Sequence, residues 1–298
     1  MTGALVMAMP GNEQFADLLC ARIEGDPGRL EHRQFPDGET YLRIRSEIGD
    51  RDVVLVCSLD KPDAKMLPLL FAADTLRELG ARSIGLVAPY LAYMRQDVRF
   101  QPGEAVTSRT FAATLSRHLD WLVTVDPHLH RYQALDEVYR IPSRVVHAAP
   151  LMAHWIRQNV VRPIIIGPDR ESEQWVSQVA AAAGAPFLVC DKERSGDRSV
   201  RIAIPHAKAL GDHQPVLVDD IASSGRTLAV AARQLVDRGH PPPDCAVVHP
   251  LFADDAMQLL HSLVRRIVST NTIGHVTNGI DMSGPVADAV KTFLLQRA

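Results

Sequence analysis

The chain has no long hydrophobic run, no clustered cysteines and no surplus of positive charge, and each lack removes a class of function. No apolar stretch reaches the roughly 18 residues that a membrane-spanning helix needs, and residues 1–10 carry no Lys or Arg ahead of their short apolar run. Membrane insertion and secretion are therefore not expected. The four cysteines, Cys20, Cys57, Cys190 and Cys245, lie far apart without a CxxC pair or a zinc-like spacing, and read as buried thiols of a reducing, cytoplasmic compartment. The formal net charge of -3 argues against general nucleic-acid binding, which needs a concentrated basic face to displace counterions. A small anionic substrate remains open, because a few local cations and backbone N–H groups suffice for it. No GxxxxGK[ST] sequence occurs, so no nucleotide is held in a P-loop.

What is present is ordinary globular material: 46% hydrophobic and 22% charged residues over 298 positions. That length exceeds what one hydrophobic core supports, so two domains of about 150 residues each are expected. Short apolar runs at 4–9, 53–57, 84–88, 121–125, 164–167, 216–218, 246–249 and 267–270 alternate with segments of helical period, the pattern of a parallel α/β protein. Residues 12–23 put Phe15, Leu18, Leu19 and Ile23 on one helical face, and 226–237 do the same with Leu228, Ala231, Leu235 and Val236, followed by Gly239 as a stop. Fully apolar strands imply a sheet covered on both faces, with ligands gathering at the carboxyl ends of the strands. The halves are placed at 1–145, with 288–298 open to joining it, and 146–287. The polar stretch DKERSGDRS at 191–199 reads as a long mobile excursion within the second.

The densest chemistry lies at 216–227, VLVDDIASSGRT: an apolar strand, two carboxylates, a small-residue turn and the start of an amphipathic helix. Ser223, Ser224, Gly225, Arg226 and Thr227 open that helix, where backbone N–H groups, hydroxyls and the helix dipole favour a phosphate. Asp219 and Asp220, at the strand end, can accept hydrogen bonds from sugar hydroxyls. The plainer reading is that these aspartates and serines only cap the helix; the strand before and the helix after favour the ligand.

This segment resembles the phosphoribosyl diphosphate loop shared by type I phosphoribosyltransferases and the ribose-phosphate diphosphokinases, or phosphoribosyl diphosphate synthases. FPDGE at 35–39, RQD at 95–97, DPH at 126–128, GPDRESEQWV at 167–176, the paired Lys192 and Arg194, and TNTI at 270–273 resemble synthase motifs in synthase order. The likeness runs from about residue 4 to about residue 292, with archaeal-type features. Two positions depart from the common bacterial pattern: Ser223 stands where many carry Asp, and Arg226 where many carry Gly.

The resemblance implies two tandem phosphoribosyltransferase-type, Rossmann-like domains with mainly parallel sheets, and transfer of the diphosphoryl group of Mg2+-ATP to the 1-hydroxyl of ribose 5-phosphate. It implies that Phe35, Asp37 and Glu39 contact ATP on a loop that reaches a neighbouring subunit's site, so that the protein is a homodimer or higher oligomer. Arg95 and Gln96 belong by resemblance to the ATP site. From the residues themselves, Arg95 can engage phosphate oxygens bidentately, Gln96 can hydrogen-bond the nucleotide, and Asp97 can orient Arg95. His128 and Asp169 are implied as the magnesium ligands, with His130 unassigned, and Lys192 and Arg194 as the catalytic cations. Ribose 5-phosphate is implied at Asp219, Asp220 and residues 223–227. The readings that stand beside this one are a type I phosphoribosyltransferase, a catalytically silent regulatory paralogue of the synthase, and a kinase for another pentose phosphate.

Overall fold

The computed structural model describes residues 3–129, 131–194, 200–203, 210–253 and 255–296, with the backbone alone described at 171, 191–194 and 200–203. It divides into two compact units, Met1–Val146 with Ser283–Ala298, and His147–Met282.

Unit 1 begins with β1 (Leu5–Ala8), α1 (Glu13–Ile23) and β2 (Asp26–Pro27), followed by an antiparallel hairpin of β3 (Leu30–Gln34) and β4 (Thr40–Ile44). It continues through β5 (Asp52–Val56), α2 (Pro62–Glu78), β6 (Ser83–Ala88), α3 (Thr107–His118), β7 (Trp121–Val125) and β8 (Ser143–Val146). Apart from the hairpin, the strands form one parallel sheet in the order β2-β1-β5-β6-β7-β8. Every residue of β5, β6 and β7 is buried, as a sheet with helices on both faces requires. In α1 the buried stripe is Phe15, Ala16 and Leu19; Leu18, expected on that face, falls one position off it and is 36% exposed.

Unit 2 contains α4 (Ala149–Asn159), β9 (Pro163–Gly167), α5 (Glu173–Ala183) and β10 (Phe187–Val189), then β11 (Asp191–Arg194) paired antiparallel with β12 (Val200–Ala203). It continues with β13 (Gln214–Ala222), α6 (Arg226–Asp237), β14 (Asp244–Pro250), α7 (Ala256–His261), β15 (Arg266–Thr270) and β16 (Asn278–Ile280). The parallel sheet runs β10-β9-β13-β14-β15-β16, the same order as in unit 1. The stretch expected as a long mobile excursion starts as a strand of a ladder, while 195–199 lie outside the described residues. Strand β13 also outruns its apolar core. It carries Asp219 and Asp220 inside the ladder, because pairing with β14 persists from Asp219↔Val247 to Ala222↔Pro250. Helix α6 buries Leu228, Ala229, Ala231, Ala232 and Leu235 and leaves Val236 38% exposed. It stops as expected at Gly239, whose φ of 83° lets its N–H and that of His240 return to Val236 and Leu235.

Helix α8 (Ser283–Leu295) returns to unit 1. Its Phe293 stacks on Trp121 with ring centroids 4.9 Å apart and planes at 14°, and Arg22 donates from Nε to Ser283 Oγ at 2.8 Å. Trp121 fits because Gly85 on the adjacent strand has no side chain: a Cβ there would lie 2.0 Å from the indole. None of the four cysteines is in a disulfide, and burial pushes Cys57 up to about 12, so it stays protonated. No helix among the described residues is long and apolar enough to cross a membrane. Gly85→Ala must displace Trp121 and the ring stacked on it; urea unfolding of this variant is expected to show a loss of about 1–3 kcal/mol, the usual cost of overpacking a filled core.

Candidate active site

In unit 2 the chain leaves β9 for β10 on one side and reaches β13 on the other, so the strand order turns back between β9 and β13. Loops at the carboxyl ends of two such strands diverge and leave a crevice between them. The loop after β9 carries Asp169, and β13 carries Asp219 and Asp220 and leads into 223–227.

At the start of α6 the N-cap position is Gly225, with φ 65° and no side-chain cap hydrogen bond. Among the described residues no serine hydroxyl is seen capping this turn, so its first N–H groups can take another acceptor. The loop is held from behind, with Phe252 N donating to Ala222 O at 2.8 Å and Ala253 N to Ser223 O at 2.9 Å. Gly225 is required twice over, by its left-handed φ and by the 3.1 Å to Leu260 Cδ1 and 3.3 Å to Ala256 Cβ that a Cβ would meet. Ser224 and Arg226 are exposed, and Ser223 and Thr227 half-buried.

Asp219 titrates well above the ordinary carboxylate range. Desolvation is the main cause, followed by the negative charges of Asp220 and Asp169. Part of the residue's surface is open, yet protein crowds the carboxyl itself closely enough for burial to dominate. Asp169 is fixed by a short turn: its Oδ1 accepts from Ser172 N at 3.3 Å, and Ser172 Oγ donates back to Asp169 O at 2.6 Å. Gly167 makes that turn possible, since a Cβ would lie 2.6 Å from Ser172 Oγ. The residues of TNTI pin the end of β14 beside β13. Thr270 and Thr272 hydroxyls donate to Val248 O at 2.7 and 3.0 Å, and the buried His249 meets Thr272 Oγ1 at 2.9 Å through Nδ1.

In unit 1, FPDGE forms the turn between β3 and β4, closed by Phe35 N to Glu39 O at 2.8 Å and by Gly38 at φ 91°. Asp37 and Glu39 are exposed, and Phe35 is 39% exposed, with the Arg33 guanidinium 4.6 Å from its ring centre and Tyr41 edge-on at 6.2 Å. Arg95 is exposed and Gln96 half-buried, but Asp97 turns inward at 4% exposure. Its Oδ1 accepts from Arg131 Nη1 at 2.7 Å, which overturns the expectation that Asp97 orients Arg95. A buried carboxylate takes the cation that reaches it inside the protein, and here that cation is 34 residues along the chain. Sequence reasoning missed Arg131; its one signal was its place three residues after His128. His128 is half-buried beyond β7, and His130 lies outside the described residues. Lys192 and Arg194 lie two apart on β11, with their side chains outside the description.

The description "N-terminal domain of ribose phosphate pyrophosphokinase" matches residues 4–118, and "Phosphoribosyl transferase domain" matches 134–257. The chain is 34% identical over 251 residues to a ribose-phosphate pyrophosphokinase of Saccharolobus solfataricus, covering 82% of this chain and 84% of that one. The chain belongs to the ribose-phosphate pyrophosphokinase family. A pyrophosphokinase of Methanopyrus kandleri is 32% identical over 293 residues, 96% of this chain and 98% of that one. The crystal structure of phosphoribosylpyrophosphate synthetase from Mycobacterium smegmatis shares the fold, with a TM-score of 0.84 over 98% of this chain and 99% of that chain at 21% identity. The matched N-terminal pyrophosphokinase domain separates the chain from a type I phosphoribosyltransferase.

Because Asp219 binds its proton more tightly when folded, its contribution to stability is full below the ordinary value of 3.8 and is lost as pH rises through the raised one. Asp219→Asn is therefore expected to melt above the parent, by little at about pH 4 and by a growing margin toward about pH 7.5. Paired thermal scans across that range check this, and a margin that shrinks with pH would contradict it.

Proposed function

We propose that the chain transfers the diphosphoryl group of ATP to the 1-hydroxyl of ribose 5-phosphate, giving 5-phosphoribosyl 1-diphosphate and AMP. The observation that carries this is the uncapped first turn of α6 directly after Asp219 and Asp220, an anion site and a hydroxyl-acceptor site within one loop. The 5-phosphate takes the N–H groups and hydroxyls of Ser223, Ser224, Gly225 and Thr227, with the exposed Arg226 beside it. The 2- and 3-hydroxyls donate to Asp219 and Asp220. ATP lies against Phe35, Asp37 and Glu39, with Arg95 and Gln96 on its polar parts and Asp97 holding their segment from beneath. The bound 1-hydroxyl attacks the β-phosphorus in line, the bond to the α-phosphate oxygen breaks, and AMP departs. Lys192 and Arg194, carried on the β11–β12 hairpin, stabilise the charge that builds during transfer.

The donor set fits magnesium. Asp169 offers carboxylate oxygen near two further carboxylates, and its Oδ1 alone is committed to Ser172. Among the described residues no three His, Cys, Asp or Glu form a cage, which suits a cation that takes one or two protein ligands and completes its shell with phosphate oxygens and water. Asp169 in unit 2 and, separately, His128 in unit 1 each offer one such ligand, and magnesium when bound would neutralise charge on the ATP phosphates. The hairpin that presents Phe35 reaches the site of a neighbouring copy, so the active species is a homodimer or larger assembly. Free, buried thiols such as Cys57 and Cys245 suit a cytoplasmic enzyme.

Purified protein given magnesium, ATP and ribose 5-phosphate is expected to release AMP only when the sugar phosphate is present, and to stop when magnesium is chelated. Lys192→Ala is expected to lose about a hundred- to a thousandfold in kcat, the scale for removing one transition-state donor. Chromatographic assay of the nucleotide product decides: ADP would indicate a simple kinase. In sedimentation the active species is expected to exceed monomer mass, and a fully active monomer would refute sharing of the hairpin.

A further inference from the structure

We infer that Arg131 is a positioning residue for the reaction, reaching in from the surface to pair with the buried Asp97 and so hold the ATP segment 95–97 in place; the inference rests on the function proposed above. The carboxylate of Asp97 is almost wholly enclosed, with its side chain 1% exposed, and among the described residues its Oδ2 has no hydrogen-bond partner. Its Oδ1 meets Arg131 Nη1 at 2.7 Å. A buried carboxylate with one oxygen unpaired depends heavily on the cation that compensates it, and among the described residues Arg131 is the only ion-pair partner of Asp97.

The surrounding contacts show what the pair holds. Tyr93, in the left-handed region at φ 60°, donates its hydroxyl to Asp63 and packs on Phe111 with ring centroids 4.8 Å apart, which anchors the segment upstream. Gln96 O accepts from Ser108 N and Asp97 O from the Tyr132 hydroxyl, both at a long 3.4 Å. The short, charged contact to Arg131 is thus the strong tie at the downstream end. The Arg131 guanidinium also lies 5.2 Å over the ring of Phe100, which brings the next turn of the loop into the same cluster. With the backbone clamped at Tyr93 and Asp97, Arg95 and Gln96 between them are the residues left toward solvent. Arg131 lies three residues beyond His128, so one ion pair sets the ATP segment against the loop that carries the proposed magnesium ligand. Without Arg131 the buried charge must find water, Asp97 swings outward, and Arg95 and Gln96 lose their place.

The test uses full-length Arg131→Ala, Arg131→Lys, Arg131→Gln and the double variant Asp97→Asn/Arg131→Gln. Each is assayed with magnesium, ATP and ribose 5-phosphate, and each is titrated calorimetrically with ATP alone, without magnesium or sugar. Arg131→Ala is expected to raise the KM for ATP about tenfold or more while the KM for ribose 5-phosphate stays within about twofold, with ATP affinity in the titration falling in parallel. Arg131→Lys recovers much of the loss, since a single nitrogen makes the contact. The double variant binds ATP better than Arg131→Gln alone, because the stranded charge has gone with its partner. The lysine and double variants carry the test if the alanine variant does not fold. A fall in kcat with both KM values unchanged, or an equal rise in both, means that Arg131 serves folding alone and overturns the inference. If the parent makes no AMP, the functional reading fails, while the titration still decides whether this pair positions the nucleotide segment.

Discussion

Three carboxylates meet where the strand order of unit 2 turns back, and much of the local architecture answers to that concentration of like charge. Burial, Asp220 and Asp169 all disfavour ionisation of Asp219, so the strand end holds a group at odds with its surroundings. A few residues on, the uncapped start of α6 presents the opposite polarity. Neither feature is a good choice for stability alone, because a neutral residue in place of Asp219 and a serine cap on α6 would each relieve a local cost. Side by side they make a bipolar crevice, one end suited to phosphate and the other to hydroxyls and a hard cation. The supports behind it, Gly167 against Ser172, Gly225 against α7, and Thr270 and Thr272 against β14, hold the loops so that this polarity does not relax away.

The two units repeat one plan with different cargo. Each has a six-stranded parallel sheet of the same order, and each places a two-stranded antiparallel hairpin between its second and third sheet strands in sequence. In unit 1 the hairpin turn is FPDGE, and in unit 2 the hairpin arm carries Lys192 and Arg194. The hairpins join neither parallel sheet, so their sequences are freed from the demand for two buried faces. That freedom allows exposed Phe35, Asp37 and Glu39 on one and a run of charge on the other.

How much of this could be read from residues alone follows from the forces involved. The central strands were legible because a strand buried on both faces must be apolar throughout. The strand–turn–helix at 216–227 was legible because glycine, serine and aspartate at that spacing answer to backbone geometry. Strands β3 and β11 were not, since they are mostly polar, nor were their short partners β4 and β12, which only ladder pairing reveals. Nor was the extent of β13 past its apolar core, which pairing with β14 sets. Asp97 was misread for a similar reason: a motif shows neighbours in sequence, whereas the cation that a buried carboxylate recruits is chosen in three dimensions.

The stacking of Phe293 on Trp121 has a bearing on how the molecule is made. Unit 2 is one continuous stretch, 147–282, that interrupts the sequence of unit 1, whose helix α8 follows it in the chain. On the ribosome, unit 2 has all its strands before residues 283–295 emerge, while the sheet of unit 1 has waited with Trp121 uncovered since early in synthesis. The first unit to begin is therefore the last to be completed, and in the interval its indole face is an apolar surface in need of shelter.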